Sequence, residues 1–114
     1  MPKINPENTD VTIGTTYPQP LDEPCKTRMS RRLSNAGGLT QFGVNHVTLP
    51  PGCWASQRHH HSAEDEFVYI LSGKPTLIDD DGETPLSPVI AARILRGTAT
   101  DITLSTKHRM TSHF

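Results

Sequence analysis

The chain of 114 residues and 12.6 kDa has room for one domain, which at this length hides roughly two-thirds of the unfolded surface. Apolar residues make up 33% of it, and ten prolines exceed the usual share, which implies a modest core with a proline-rich periphery. Eleven basic and twelve acidic side chains leave a formal charge of -1, so nothing in the overall charge favours a phosphate backbone, and no nucleic-acid partner is expected.

The longest uncharged apolar run, Phe67 to Leu71, is far below the roughly 18 residues of a membrane span, so no membrane partner is expected. The start, MPKINPENTD, has no apolar segment ahead of a cleavage site, and a cytoplasmic location is the expectation. Cys25 and Cys53 lack a CxxC spacing and are read as free thiols.

Residues 1–27 form the first predicted unit. Pro2, Pro6, Pro18, Pro20 and Pro24 break any helical or alternating pattern, so this is an extended arm. It must lie on a domain or a partner to be ordered, because its own apolar area is too small to offset backbone entropy. Residues 28–114 form the second unit. A short helical turn is predicted within 28–38, ahead of Gly37 and Gly38, and FGVNHVTL (42–49) is predicted as a strand stopped by Pro50, Pro51 and Gly52.

A strand is predicted over 54–60, then a polar connection, the strand FVYIL, a turn at Ser72-Gly73, the strand TLI, and a turn at Asp81-Gly82. Turns every eight to twelve residues indicate an antiparallel sandwich or small barrel. Beyond Pro88, ARIL is a further strand candidate, and STKHRMTSHF shows no clear buried face. Charge is uneven: residues 42–88 carry only Arg58 and Lys74 against seven acids, while Arg28, Arg31 and Arg32 lie before them. That asymmetry can steer an anion toward Arg28–Arg32, though a solvated tail explains it equally, and Arg58 either faces outward or anchors an anion.

The richest cluster is histidine and carboxylate. In a strand, a period of two sends His59 and His61 to one face and His60 to the other. Glu66 shares parity with Val68 and Ile70, which puts a carboxylate at the end of an apolar inward row. Two imidazoles and a carboxylate suit divalent Fe, Mn, Ni, Co or Zn and leave positions for water or a ligand. Exposed or hydrogen-bonded histidines are the bland alternative. Glu64 and Asp65 read as solvated connection residues or as acceptors for a ligand imidazole. Trp54, Phe67 and Tyr69 read as packing residues.

Gly52, six residues, His59-x-His61, four residues, Glu66, six residues and Gly73 resemble the first motif of the cupin family, with one extra residue between the first glycine and first histidine. The resemblance implies an all-β, double-stranded β-helix (jelly-roll) barrel, often dimeric, and assigns His59, His61 and Glu66 as metal ligands. The family's second motif places a glycine where Val89 stands, a proline near Leu95, a glycine near Gly97 and a histidine near Ile102 or Thr103; only Gly97 matches. The barrel is therefore expected to be incomplete at its C-terminus, and the missing histidine argues against a fully occupied metal site. One choice of codons for Thr100–Arg109, read from its third base, spells GHHLVNKAS, which resembles the second motif. On that reading residues 89–114 are a frame-shifted tail. Exposed inner sheet ends would then favour a homodimer or strand exchange.

No serine or cysteine nucleophile constellation can be assembled from spacing. The expected function is a metal or small-molecule binding module. The alternatives are a metal-dependent oxygenase or isomerase acting on a small oxygen-containing molecule, and a non-catalytic remnant or self-associating scaffold.

Overall fold

The computed structural model describes residues 3–59, 63–103 and 112–113. Among the described residues it is all-β apart from one α-helical turn and two 3-10 turns, and every strand pairing is antiparallel. Nine short strands form three sheets: β1 (Val11–Ile13), β2 (Met29–Arg32), β3 (Asn45–Leu49), β4 (Glu66–Tyr69), β5 (Thr76–Asp79), β6 (Gly82–Pro85), β7 (Ala91–Ile94), β8 (Asp101–Thr103) and β9 (Ser112–His113). Their orders are β1-β2-β3-β9, β4-β7 and β6-β5-β8, so among the described residues the sheets do not close into a complete barrel.

The core collects the inward-facing member of each alternating pair. Val47 and Leu49 of β3, Val68 of β4 with the following Ile70, Leu77 of β5, Ile94 of β7 and Ile102 of β8 pack with Cys53 and Leu86. This alternation is the period of two expected where one sheet face is buried. Residues beyond Pro88 thus supply three strands and two core isoleucines.

The arm is held by β1, which pairs with β2 in the register Val11↔Arg31 to Ile13↔Met29. The Arg31 guanidinium donates to the carbonyls of Pro6 at 2.7 Å and Thr9 at 2.8 Å, which ties the first turn of the arm to the same sheet. The helical turn predicted within 28–38 is confined to α1 (Leu33–Ala36), because Met29–Arg32 is taken into the ladder between β1 and β3. The strand predicted over 42–49 begins only at Asn45, and FVYIL is in strand as Glu66–Tyr69.

Turn chemistry follows the glycines. Gly52 and Gly73, the glycines that frame the histidine segment, both have φ of +81°, a left-handed conformation open to glycine at little cost. Val89 has φ of +67°. A β-branched residue there is a genuine outlier, and it stands where the resemblance places a glycine.

Candidate functional site

The site is assembled on the segment between Gly52 and β4, across from β8. The regular strand predicted over 54–60 does not form. Trp54 bridges Thr103 and His59 bridges Thr100, but residues 55–58 bend away between these two points. Five steps on one side match three on the other, so the segment bulges by two residues.

Side chains take over the hydrogen bonds that a ladder would have made. The Ser56 amide donates to Asp101 Oδ1 at 3.2 Å, and the Gln57 amide donates to the Tyr17 hydroxyl at 3.3 Å. Gln57 Nε2 reaches the Leu21 carbonyl at 2.8 Å, and the Trp54 amide donates to the Pro24 carbonyl at 2.8 Å. The arm therefore braces the bulge. His60 and His61 lie outside the described residues.

His59 is oriented by its own neighbours. Its Nδ1 lies 2.8 Å from the Gln57 carbonyl, which can only accept, so Nδ1 carries the proton. A ring held through Nδ1 in this way can ligate a metal only through Nε2. Ser56 Oγ lies 3.2 Å from the same Nδ1 and donates to Asp101 Oδ1 at 3.4 Å.

Asp101 is a residue that the sequence analysis passed over, since it belongs to no motif. It is 5% exposed, and burial pushes its carboxyl up to about 6 from an ordinary 3.8. Hydrogen bonds from the Ile102 amide and from Ser56, and the nearby His59, pull in the other direction. Its neighbour Ile102 pairs with Leu77 and is buried in the core, so hydrocarbon occupies a place where a histidine was looked for.

Glu66 opens β4 opposite Ile94, with Val68 opposite Ala92 on the same face. Val68 and Ile70 are buried and Glu66 is partly so, as expected for a carboxylate ending an inward apolar row. Asp65 accepts from the Arg96 amide at 2.8 Å and so fastens the connection to the turn after β7. Arg58 pairs with Asp80 on the surface. Phe67 and Tyr69 face outward and are 74% and 42% exposed, and Trp54 is 37% exposed; these aromatics are not core packing residues.

Cys25 and Cys53 are both buried free thiols. Burial raises Cys25 to about 11, the Asp101 charge adding to it, so it stays protonated at neutral pH and is a poor nucleophile. Among the described residues no three His, Cys, Asp or Glu side chains gather as a metal set; His61 is not among them. No helix of the described residues is long and apolar enough to cross a membrane.

The family model described as the cupin domain matches residues 45–99. Among solved structures, the chain is similar to a sugar phosphate isomerase from a cupin superfamily of Silicibacter pomeroyi. The two are 36% identical with a TM-score of 0.88, and the match covers 98% of this chain and 71% of that one. It is also similar to a putative sugar phosphate isomerase from Acidithiobacillus ferrooxidans, at 27% identity and a TM-score of 0.67. That match covers 76% of this chain and 56% of the other, so this chain spans little more than half of that protein. A predicted oxalate decarboxylase from Thermotoga maritima, 18% identical with a TM-score of 0.77, shares the fold. No curated protein matches the sequence.

Proposed function

Because the chain belongs to the cupin superfamily, we propose that it is a metal- and small-molecule-binding cupin module whose metal is held by His59, His61 and Glu66. The observation that carries this reading is the fixed tautomer of His59: with Nδ1 committed to the Gln57 carbonyl, the lone pair is on Nε2. Glu66, ending the inward row of β4, fits the carboxylate of such a set. Bound there, a divalent transition metal would supply Lewis-acid polarisation of a ligand oxygen. Ile102 offers no donor, which leaves the remaining coordination positions to water or ligand.

Titration calorimetry and elemental analysis with Mn, Fe, Co, Ni and Zn test this. Wild type is expected to take up one equivalent of one of these metals, and His59→Ala or His61→Ala to lose that signal. Affinity should fall as pH drops through roughly 6.5, since protonated imidazole does not ligate. Full uptake by both alanine variants would refute the ligand set.

A second reading, isomerisation of a phosphorylated sugar, is favoured by the two similar structures so described, one of them covering nearly all of this chain. Turnover of aldose and ketose phosphates by the metal-loaded protein distinguishes an enzyme from a module that only binds.

The module is further proposed to be a homodimer. Phe67 and Tyr69 on the outer face of β4, with Leu71, Val89, Ile90 and Leu95 beside that sheet, are all exposed apolar side chains. A twofold interface uses one patch on both copies. Sizing with light scattering at micromolar concentration should give twice 12.6 kDa for wild type and a monomer for Phe67→Asp. A monomeric wild type would exclude it.

A further inference from the structure

The strand β2 carries a cation on its inner side that the rest of the protein does not use. Ser30 of β2 pairs with Val47 of β3, and both are buried, which marks that face of the sheet as inward. The ladder runs one residue beyond β2, because the Gly14 amide donates to the Arg28 carbonyl at 2.7 Å. Arg28 is therefore two residues from Ser30 along a strand and on the same face. Continued by one step, the β2–β3 register sets it across from Leu49, which is fully buried.

Arg28 Nε is buried and has no hydrogen-bond partner among the described residues. Its side chain makes no ion pair there either; the two salt bridges found join Lys26 to Glu23 and Arg58 to Asp80. Arg31, on the other face of β2, is satisfied by two carbonyls, whereas Arg28, partly exposed as a residue, keeps a buried Nε without a partner among the described residues. Leaving a buried donor unmet costs about 1–3 kcal/mol, and more when it is charged, so such a group calls for an occupant.

We propose that Arg28 is the anchor for an oxyanion, the phosphate or carboxylate of a small-molecule ligand, bound at the inner face of the β2–β3 pair. The guanidinium edge formed by Nε and one Nη presents two parallel N–H groups, and these match two oxygens of a carboxylate or phosphate. The acidic middle of the chain makes an inward arginine the natural selector for an anionic ligand. The inference rests on the small-molecule reading above but not on the metal, so the two can be separated.

The test is calorimetric titration of the full chain, kept in chelator, with inorganic phosphate and separately with acetate. Wild type is expected to bind one equivalent of at least one of them, and the stronger of the two identifies the ligand end. Arg28→Met should weaken that binding at least tenfold while leaving divalent-metal uptake unchanged. His59→Ala should do the reverse, losing metal and keeping the anion. Arg28→Lys, which keeps the charge and loses the fork, should fall between wild type and Arg28→Met. The bound anion should raise the melting temperature of wild type and not that of Arg28→Met. No saturable anion binding by wild type, or equal anion affinity in wild type, Arg28→Met and Arg28→Lys, would overturn the assignment.

Discussion

Replacing Asp101 by asparagine is expected to stabilise the protein at neutral pH and to remove a pH dependence that wild type carries between about 4 and 6. The carboxyl of Asp101 is 5% exposed, and burial raises it from 3.8 to about 6. In that interval the folded chain holds a proton that the unfolded chain has released. Stability contributed by this group is therefore full below 3.8 and is lost as pH rises to about 6. A shift of this size corresponds to about 3 kcal/mol. Asparagine retains an oxygen to accept from the Ile102 amide, the Ser56 amide and Ser56 Oγ, which are the partners of Oδ1. Urea unfolding in chelator at pH 4 and pH 7.5 checks this. The stability difference between variant and wild type should shift by about 3 kcal/mol in favour of the variant at the higher pH. A difference that does not move with pH would show that the buried carboxylate is compensated in the fold.

Val89→Gly is expected to stabilise the chain by about 1 kcal/mol. A left-handed conformation costs an ordinary L-residue about 1–2 kcal/mol, and a β-branched side chain lies at the upper end or beyond. Glycine gives back about 0.5–1 kcal/mol through the greater freedom of its unfolded chain. The Val89 side chain is 72% exposed, so little packing is lost. Its backbone is committed, since the amide donates to the Ile70 carbonyl at 2.9 Å, and the turn will keep its shape with the new residue. Chemical denaturation of the two proteins decides it, and an equal or lower midpoint for the glycine variant would mean that the turn relaxes to accept valine. The resemblance places a glycine where Val89 stands and a histidine near Ile102 or Thr103, and a frame-shifted tail is the origin proposed for the residues found there instead. Sequencing the coding DNA from Pro88 to Phe114 tests that origin.

Much of the fold was legible because the hydrophobic alternation is clean where one face is buried. Val47 and Leu49, Val68 and Ile70, and the turn glycines Gly52 and Gly73 are all readable from spacing, and with them the family. The strands β1 and β2 were not, because Val-Thr-Ile and Met-Ser-Arg-Arg are too short and too polar to show a period, and they are fixed by pairing across the sheet. The reading of 54–60 as a regular strand failed for a different reason. Asp101 and Tyr17, 45 and 40 residues away from their partners, satisfy the amides of Ser56 and Gln57, and no local pattern announces a donor capped from that distance. At the site, Glu66 could be placed by parity with its apolar neighbours. Arg28 was visible as part of a basic stretch, but its inward direction depends on a ladder that only the fold reveals.

The brace between the arm and the bulge bears on how the molecule can be cut. Tyr17, Leu21 and Pro24 hold Trp54 and Gln57, two to five residues ahead of His59, without themselves reaching the chemistry. A minimal fragment trimmed to residues 45–99 would keep every proposed metal ligand but discard Arg28 and the scaffolding that aims His59. In this protein the span that a family comparison recognises is smaller than the unit that can do its work.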